Sequence, residues 1–255
     1  MTTRELAAAL LDLVLPTSCG GCGLGGIGWC PECAARVDGP VTASVPGVGT
    51  VWAAGRYRGP LRTALLGYKE RGRRDLAGPL AGVLAPLVPA GALLVPVPSR
   101  AAAARARGGD HVLRLCRELA PAEVWPLLAI TRRARDSVGL DAAARAANLA
   151  GRIRVRSPVN PPRGVLLVDD VVTTGATLRA CRAALVEVGI RVDGALVLCT
   201  ALRRPRRLPG SLPTPPKYGL SQVRGREIRE YDRIGVTRRS GLLPDRDAHY
   251  RAWHT

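Results

Sequence analysis

The stretch from Gly164 to Thr177 constrains this chain more than any other. Four apolar residues, Val165 to Val168, run into two carboxylates, Asp169 and Asp170. Two valines follow, then a short Thr/Gly loop, then a helical pattern. An unbroken apolar run of this kind reads as a strand buried on both faces, which is typical of a parallel sheet. Leu178, Cys181, Leu185 and Val188 recur at helical spacing, and Gly189 stops the helix. Ile190 to Cys199 reads as the next strand. The unit is βαβ, with its polar residues at the carboxyl end of the first strand, where open α/β sheets bind ligands.

The loop has its own chemistry. Thr173, Thr174, Gly175, Ala176 and Thr177 lie where a helix begins, so their backbone N–H groups lack intrahelical partners. Those donors and the helix dipole favour an anion, most naturally a phosphate. Gly175 permits close approach of the backbone, and the Thr hydroxyls add donors. Asp169 and Asp170 repel phosphate but suit hydroxyl groups, and they can steer a divalent cation. A phosphate beside vicinal hydroxyls describes a ribose 5-phosphate. The same residues resemble the PRPP-binding motif of type I phosphoribosyltransferases: an apolar strand, two acids, two apolar residues, then Thr-Thr-Gly-Ala-Thr. The resemblance implies that the acids hold the ribose hydroxyls and the loop holds the 5-phosphate of phosphoribosyl pyrophosphate (PRPP). The plainer alternative is a strand–turn–helix with solvated carboxylates. A Walker A P-loop is excluded, because the chain has no G-x-x-x-x-G-K-[ST].

A second signal lies near the N-terminus. Cys19 and Cys22, then Cys30 and Cys33, form two C-x-x-C pairs separated by a Gly-rich loop. That spacing suits a structural, tetrahedral zinc site. Disulfides or a redox pair are the alternatives, the former disfavoured in a reducing compartment. Cys116, Cys181 and Cys199 fall on apolar faces and read as core residues. Before the cysteines, Leu6, Leu10, Leu13 and Val14 suggest an amphipathic helix ended by Pro16.

Between the two signals, Gly39 to Gly49 reads as a Pro/Gly-rich linker and Thr50 to Tyr57 as a strand. Leu61, Leu65 and Leu66 open a helix that leads into the charged run Lys69 to Arg74, either a solvated loop or an anion contact. Leu76 to Val88 reads as a helix shortened by Pro79 and Pro86. Leu93 to Val97 reads as a buried strand turning at Pro98-Ser99-Arg100. A basic loop follows, with Asp110 as the cap of a helix bearing Val112, Leu113, Cys116 and Leu119, then a strand from Val124 to Ile130. This second βαβ pattern predicts a parallel sheet. Residues 131–150 form either a mobile flap or a surface loop with a helix.

At 255 residues the chain has room for one sizeable domain and a small appendage. We expect three parts: residues 1–40 as N-terminal helix and cysteine module, 50–202 as the α/β domain, and 203–255 as a basic tail, disordered or loosely docked. The net charge is +18, and after Leu202 there are 13 basic residues against five acidic ones. A basic balance favours polyanions, so nonspecific nucleic-acid binding is expected. With 4% aromatic residues, a base-stacking single-strand platform is not. The sequence has neither a signal-peptide pattern nor an apolar run of membrane-spanning length, and a cytoplasmic setting is expected.

The order of these features resembles the ComF-type family of competence-associated, phosphoribosyltransferase-like proteins. The residues that carry it are the double C-x-x-C module, Lys69 with its basic run, Val95-Pro96-Val97-Pro98, Arg107-Gly108, Arg145 with Asn148, and the Asp169–Thr177 motif. The chain departs from the family pattern at Asp110, where Asn is usual, and near Ser137, where Gln is usual. The resemblance implies a type I phosphoribosyltransferase fold with an N-terminal zinc module. It further implies that Ser99 and Arg100 hold pyrophosphate, that Arg132 or Arg135 closes over it, and that Mg²⁺ accompanies PRPP. Two functions follow from it. One is phosphoribosyl transfer with release of pyrophosphate. The other is a non-catalytic PRPP-fold protein acting in DNA uptake or handling, with competence machinery as its partner.

Overall fold

A computed structural model describes residues 18–99, 104, 109–131, 152–156, 161–203 and 205–207. The segment expected to form the first helix, residues 4–15, lies outside them, as do Arg100, Arg107, Gly108, Arg132, Arg135, Ser137, Arg145, Asn148 and all of the tail beyond 207. The elements are α1 (Pro31–Ala35), β1 (Val41–Val45), β2 (Gly49–Arg56), α2 (Gly59–Glu70), α3 (Ala77–Leu84), β3 (Leu93–Pro96), α4 (His111–Arg117), β4 (Glu123–Val124), β5 (Leu128–Ile130), β6 (Ile153–Val155), β7 (Val165–Val172), α5 (Ala176–Glu187), β8 (Val192–Thr200) and β9 (Arg206–Arg207).

Seven strands form one sheet in the order β4-β3-β7-β8-β2-β1-β9, and β5 pairs with β6 in a separate antiparallel hairpin. The pairs β3–β4, β3–β7, β7–β8 and β2–β8 are parallel, while β1 runs antiparallel to β2 and to β9. The architecture is therefore α/β with a mainly parallel sheet and a small cysteine module, as expected. The long central strands carry apolar residues on both sides because both faces are covered. On one face Leu166, Val168, Leu196 and Leu198 pack with side chains of α2, α3 and α4 and with Cys19, Cys30 and Cys33. On the other, Val165, Leu167, Ala195 and Val197 pack with Leu178, Cys181 and Leu185 of α5. Cys116, Cys181 and Cys199 are buried core residues, in agreement with the sequence reading.

Strand order locates the ligand crevice. From β3 the chain crosses through α4 to β4 on one side, and β7 lies on the other side of β3. The order reverses between β3 and β7, and the gap beyond their carboxyl ends is the topological switch point. Ser99 follows β3 there, and Asp169 and Asp170 lie near the end of β7.

Three expectations need correction. Residues 39–49 are not a linker: Val41 to Val45 is a strand, paired from Val41↔Ala53 to Val45↔Gly49. Alternating burial of Val41 and Val45 with the more open Thr42 and Ser44 carries that strand, and the tight turn at Gly47 (φ +75°) closes the hairpin. Strand 124–130 is broken at Trp125-Pro126-Leu127, since Pro126 cannot donate to a ladder; its first part joins the main sheet and its second the β5–β6 hairpin. The helix over 76–88 is shortened as expected, to α3 flanked by 3₁₀ turns at Arg74–Leu76 and Ala85–Leu87. Finally, Arg206 and Arg207 pair with Thr42 and Val41, so the residues just past 202 continue the sheet.

Candidate functional site

The strand β7 runs four residues further than its apolar core, so Asp169 and Asp170 are within the strand rather than after it. Both are buried, Asp169 at 9% exposure and Asp170 at 5%. Buried carboxylates need donors. Asp170 has a full set: Lys69 Nζ at 2.7 Å and His111 Nε2 at 2.7 Å both meet Oδ2, and the Val171 N–H meets Oδ1 at 2.7 Å. Asp169 Oδ1 accepts the Asp170 N–H at 2.8 Å. The two acids are therefore unlike. Burial opposes ionisation of Asp170, but His111 and Lys69 outweigh it and hold the group well below the usual carboxylate range. Burial, and then the neighbouring Asp170 charge, push Asp169 well above it. Burial works against the ammonium of Lys69 as well, and Asp170 reverses the shift upward.

His111 was missed in the sequence reading. It is 5% exposed and opens α4 directly after its cap, Asp110, whose Oδ1 accepts the N–H groups of Val112 at 3.0 Å and Leu113 at 3.2 Å. Its backbone oxygen accepts the Tyr68 hydroxyl at 2.7 Å. Its ring spans two strands: Nε2 reaches Asp170 of β7, and Nδ1 lies 3.2 Å from Ser99 Oγ, beyond β3. An Nε2–H tautomer satisfies both contacts, donating to Asp170 and accepting from Ser99. The one available signal was a lone polar residue on the apolar face of an otherwise well-patterned helix.

Lys69, expected in a solvated run or at an anion, is in the last turn of α2 and bridges to Asp170. Ser99 lies at the switch point, and its N–H donates to Asp110 Oδ2 at 2.8 Å. The expected anion loop is also at the carboxyl edge. Thr173 and Thr174 are exposed, Gly175 is at φ +74° as the N-cap of α5, and α5 has no side-chain cap hydrogen bond. Within the loop the Ala176 N–H approaches Thr174 Oγ1 at 3.4 Å, and the Arg179 guanidinium donates to the Thr174 carbonyl at 3.0 Å. A Cβ at Gly175 would lie 2.3 Å from Val45 Cγ1, so only glycine fits beside the β1–β2 hairpin. That hairpin, through Val45, walls the loop.

The cysteine module lies on the same face of the sheet as α2. The sulfurs of Cys19, Cys22, Cys30 and Cys33 all lie within 4.8 Å of one another, with Cys22 and Cys30 at 3.6 Å. Four thiolates at zinc–sulfur bond lengths have tetrahedral edges of about 3.8 Å, so the donor set fits a tetrahedral metal such as zinc. Burial alone would raise the Cys19 thiol, but N–H groups of Cys22, Cys30 and Gly21 bring it down to about 6. Such N–H···S contacts stabilise a thiolate ligand. The module is pressed close to the domain. A Cβ on Gly21 would come within 2.6 Å of Cys33 Sγ and 2.8 Å of Pro60, and Arg73 donates to the Ser18 carbonyl at 2.6 Å.

No family model matches the chain, and no curated protein matches it. The solved structures similar to it include a glutamic acid mutant and a glutamine mutant from an analysis of an invariant aspartic acid in HPRTs. Each shares 22% identity over 56% of this chain and 74% of its own, with a TM-score of 0.26. No described helix is long and apolar enough to cross a membrane.

Two predictions follow from this geometry. Full-length protein purified without added metal should carry about one zinc per chain, and Cys22→Ala, at the exposed ligand, should lower both metal content and melting temperature. Negligible metal by elemental analysis, with disulfides found by mass spectrometry, would contradict the assignment. For the acids, a folded-state pKa raised above the unfolded value of about 3.9 means stability present at low pH and lost as pH rises. Asp169→Asn should therefore stabilise the protein at pH 7, with the gain shrinking towards pH 4. Asp170→Asn should do the reverse at pH 7, because it strips Lys69 and His111 of their shared charge. Denaturant titrations at the two pH values measure both.

Proposed function

We propose that the switch-point crevice binds a phosphoribosyl compound, with the 5-phosphate on Thr173–Thr177 and the ribose hydroxyls at Asp169 and Asp170. The observation that carries this reading is the glycine-opened start of α5, whose N-cap residue brings no side-chain acceptor, immediately beyond two buried carboxylates. Backbone donors there supply the phosphate site, and the Thr173 and Thr174 hydroxyls add to it. A ribose hydroxyl reaching Asp170 would exchange with Lys69, the partially exposed partner of that carboxylate at 33% exposure.

The compound we favour is PRPP, on the resemblance of the motif and of the whole feature order to ComF-type proteins. The residues around the switch point would then position C1 of the ribose as its bond to pyrophosphate breaks. Pyrophosphate leaves with the electron pair, an oxocarbenium-like centre develops, and the acceptor atom closes the new bond at C1. Mg²⁺ would accompany the pyrophosphate and neutralise it. In this scheme the zinc module is structural.

A second reading is a phosphoribosyl-binding protein without transfer, acting in DNA uptake or handling. Two observations favour it: Asp170 already has its acceptor positions filled within the protein, and the +18 charge suits phosphate-backbone contacts.

Calorimetric titration with Mg²⁺–PRPP tests the site. Wild type should bind, and Asp169→Asn and Asp170→Asn should each weaken binding about tenfold or more, since hydrogen bonds to a charged acceptor are worth about 1.5–3 kcal/mol. Gly175→Val should weaken it more than Thr174→Val, because the former places a side chain against Val45 at a positive φ. No binding by wild type at millimolar ligand would remove the transferase reading.

A further inference from the structure

His111 stands between a buried carboxylate and a hydroxyl. Its Nε2 meets Asp170 Oδ2 at 2.7 Å, and a carboxylate held well below its usual range only accepts, so the ring proton belongs on Nε2. Nδ1 then keeps its lone pair, and the Ser99 hydroxyl lies in front of it at 3.2 Å. Ser99 therefore offers its proton to a base whose far side rests on an anion. All three groups are fixed from elsewhere. The Ser99 N–H is held by Asp110 Oδ2 at 2.8 Å, and Asp110 caps α4 with its other oxygen. The Tyr68 hydroxyl donates to the His111 carbonyl at 2.7 Å, and its ring meets the imidazole edge-on with centroids 6.1 Å apart. Asp170 lies within β7. Burial is graded along the row: Asp170 and His111 are buried, while Ser99 is half-buried just past β3, at the edge where the crevice opens.

We propose that Ser99, His111 and Asp170 form a nucleophilic triad, and that the chain cleaves carboxylic esters through an acyl group carried on Ser99 Oγ. Such a constellation is defined by geometry and roles, not by order along the chain. Asp170 orients the ring through Nε2 and Nδ1 serves as the base, since either nitrogen can do so once a carboxylate has fixed the tautomer. Ser99 Oγ bonds to the acyl carbon as its proton passes to Nδ1, and Asp170 stabilises the imidazolium. The bond from the acyl carbon to the alcohol oxygen then breaks. The alcohol leaves with the electron pair and takes the proton from Nδ1. Water next attacks the acyl carbon and gives a proton to Nδ1. Ser99 Oγ departs with its electron pair, recovers that proton, and the carboxylic acid is released. Lys69, on the same Asp170 oxygen, keeps that carboxylate ionised as the ring gains and loses its proton. The reaction requires no phosphoribosyl ligand, so it stands or falls separately from the function proposed above.

A biotinylated fluorophosphonate, which loses fluoride to an activated serine, tests the triad on the full-length protein, with the adduct mapped by peptide mass spectrometry. p-Nitrophenyl acetate serves as the ester. The expected result is an adduct at Ser99 approaching one per chain, with the exposed Ser44 unmodified, and ester hydrolysis that stops as Ser99 is labelled. Ser99→Ala should lose both. His111→Gln, whose amide can still donate to Asp170, should label at least about a hundredfold more slowly, the usual share of a general base. Melting curves establish that each variant is folded, and heat-denatured wild type, which should not label, gives a control independent of any variant. A folded wild type without a Ser99 adduct overturns the proposal. So does an equal labelling rate in folded His111→Gln or in heat-denatured wild type. Ester hydrolysis no faster than in Ser99→Ala, or hydrolysis that survives labelling of Ser99, overturns it as well.

Discussion

A single carboxylate oxygen, Oδ2 of Asp170, holds together three elements that sequence places far apart. Lys69 reaches it from the end of α2, His111 from the start of α4, and the oxygen itself belongs to β7. A carboxylate this buried would be costly to ionise without partners, and partners this buried would be costly without it. Breaking either contact therefore leaves an uncompensated polar group beside the crevice. The neighbouring Asp169 feels the consequence. Burial and the adjacent charge on Asp170 together push its pKa well above the usual carboxylate range. Two adjacent acids are thereby shifted in opposite directions at the place where a ligand's hydroxyls would meet the sheet.

The cysteine module supports this arrangement from behind. Gly20 and Gly21 bring its backbone against Leu76, Ala64 and Pro60, so it packs on the same helix that carries Lys69. Arg73, just past that helix, ties back to Ser18 through both the carbonyl at 2.6 Å and the hydroxyl at 3.1 Å. A metal that organises the four sulfurs therefore also fixes the body against which α2 is seated. Within the sheet, the β1–β2 hairpin walls the anion loop, since Val45 fills the space a Cβ at Gly175 would need. One half of the crevice is thus backed by the cysteine module packed on the sheet, the other by the antiparallel β1–β2 edge of the sheet itself.

Much of this was legible in the sequence because it rests on local rules. The apolar run at 165–168, the glycine opening a helix at 175, the cap at Asp110 and the paired cysteines each declare themselves within a few residues. What was not legible depends on partners distant in the chain. Strand β1 looked like a linker because proline and glycine flank a short run, and only its pairing with β2 makes it a strand. His111 gave no motif, and its role exists only because α4 packs across β7. Lys69 sat in a charged run whose default reading is solvent, until a buried acid 101 positions later claimed it. The fate of Ser99 was hidden for the same reason, its amide being bound by a side chain that also caps the next helix.

The central claim is that a phosphate rests on the start of α5 with its sugar turned to Asp169 and Asp170. Backbone amide shifts measured by ¹H–¹⁵N NMR during titration with ribose 5-phosphate test it most directly. The account predicts the largest, saturable shifts at Thr174 to Thr177, with smaller ones at Asp170 and Val171, and their loss in Gly175→Val. Saturable shifts confined to other parts of the surface, or none at millimolar ligand, would contradict it.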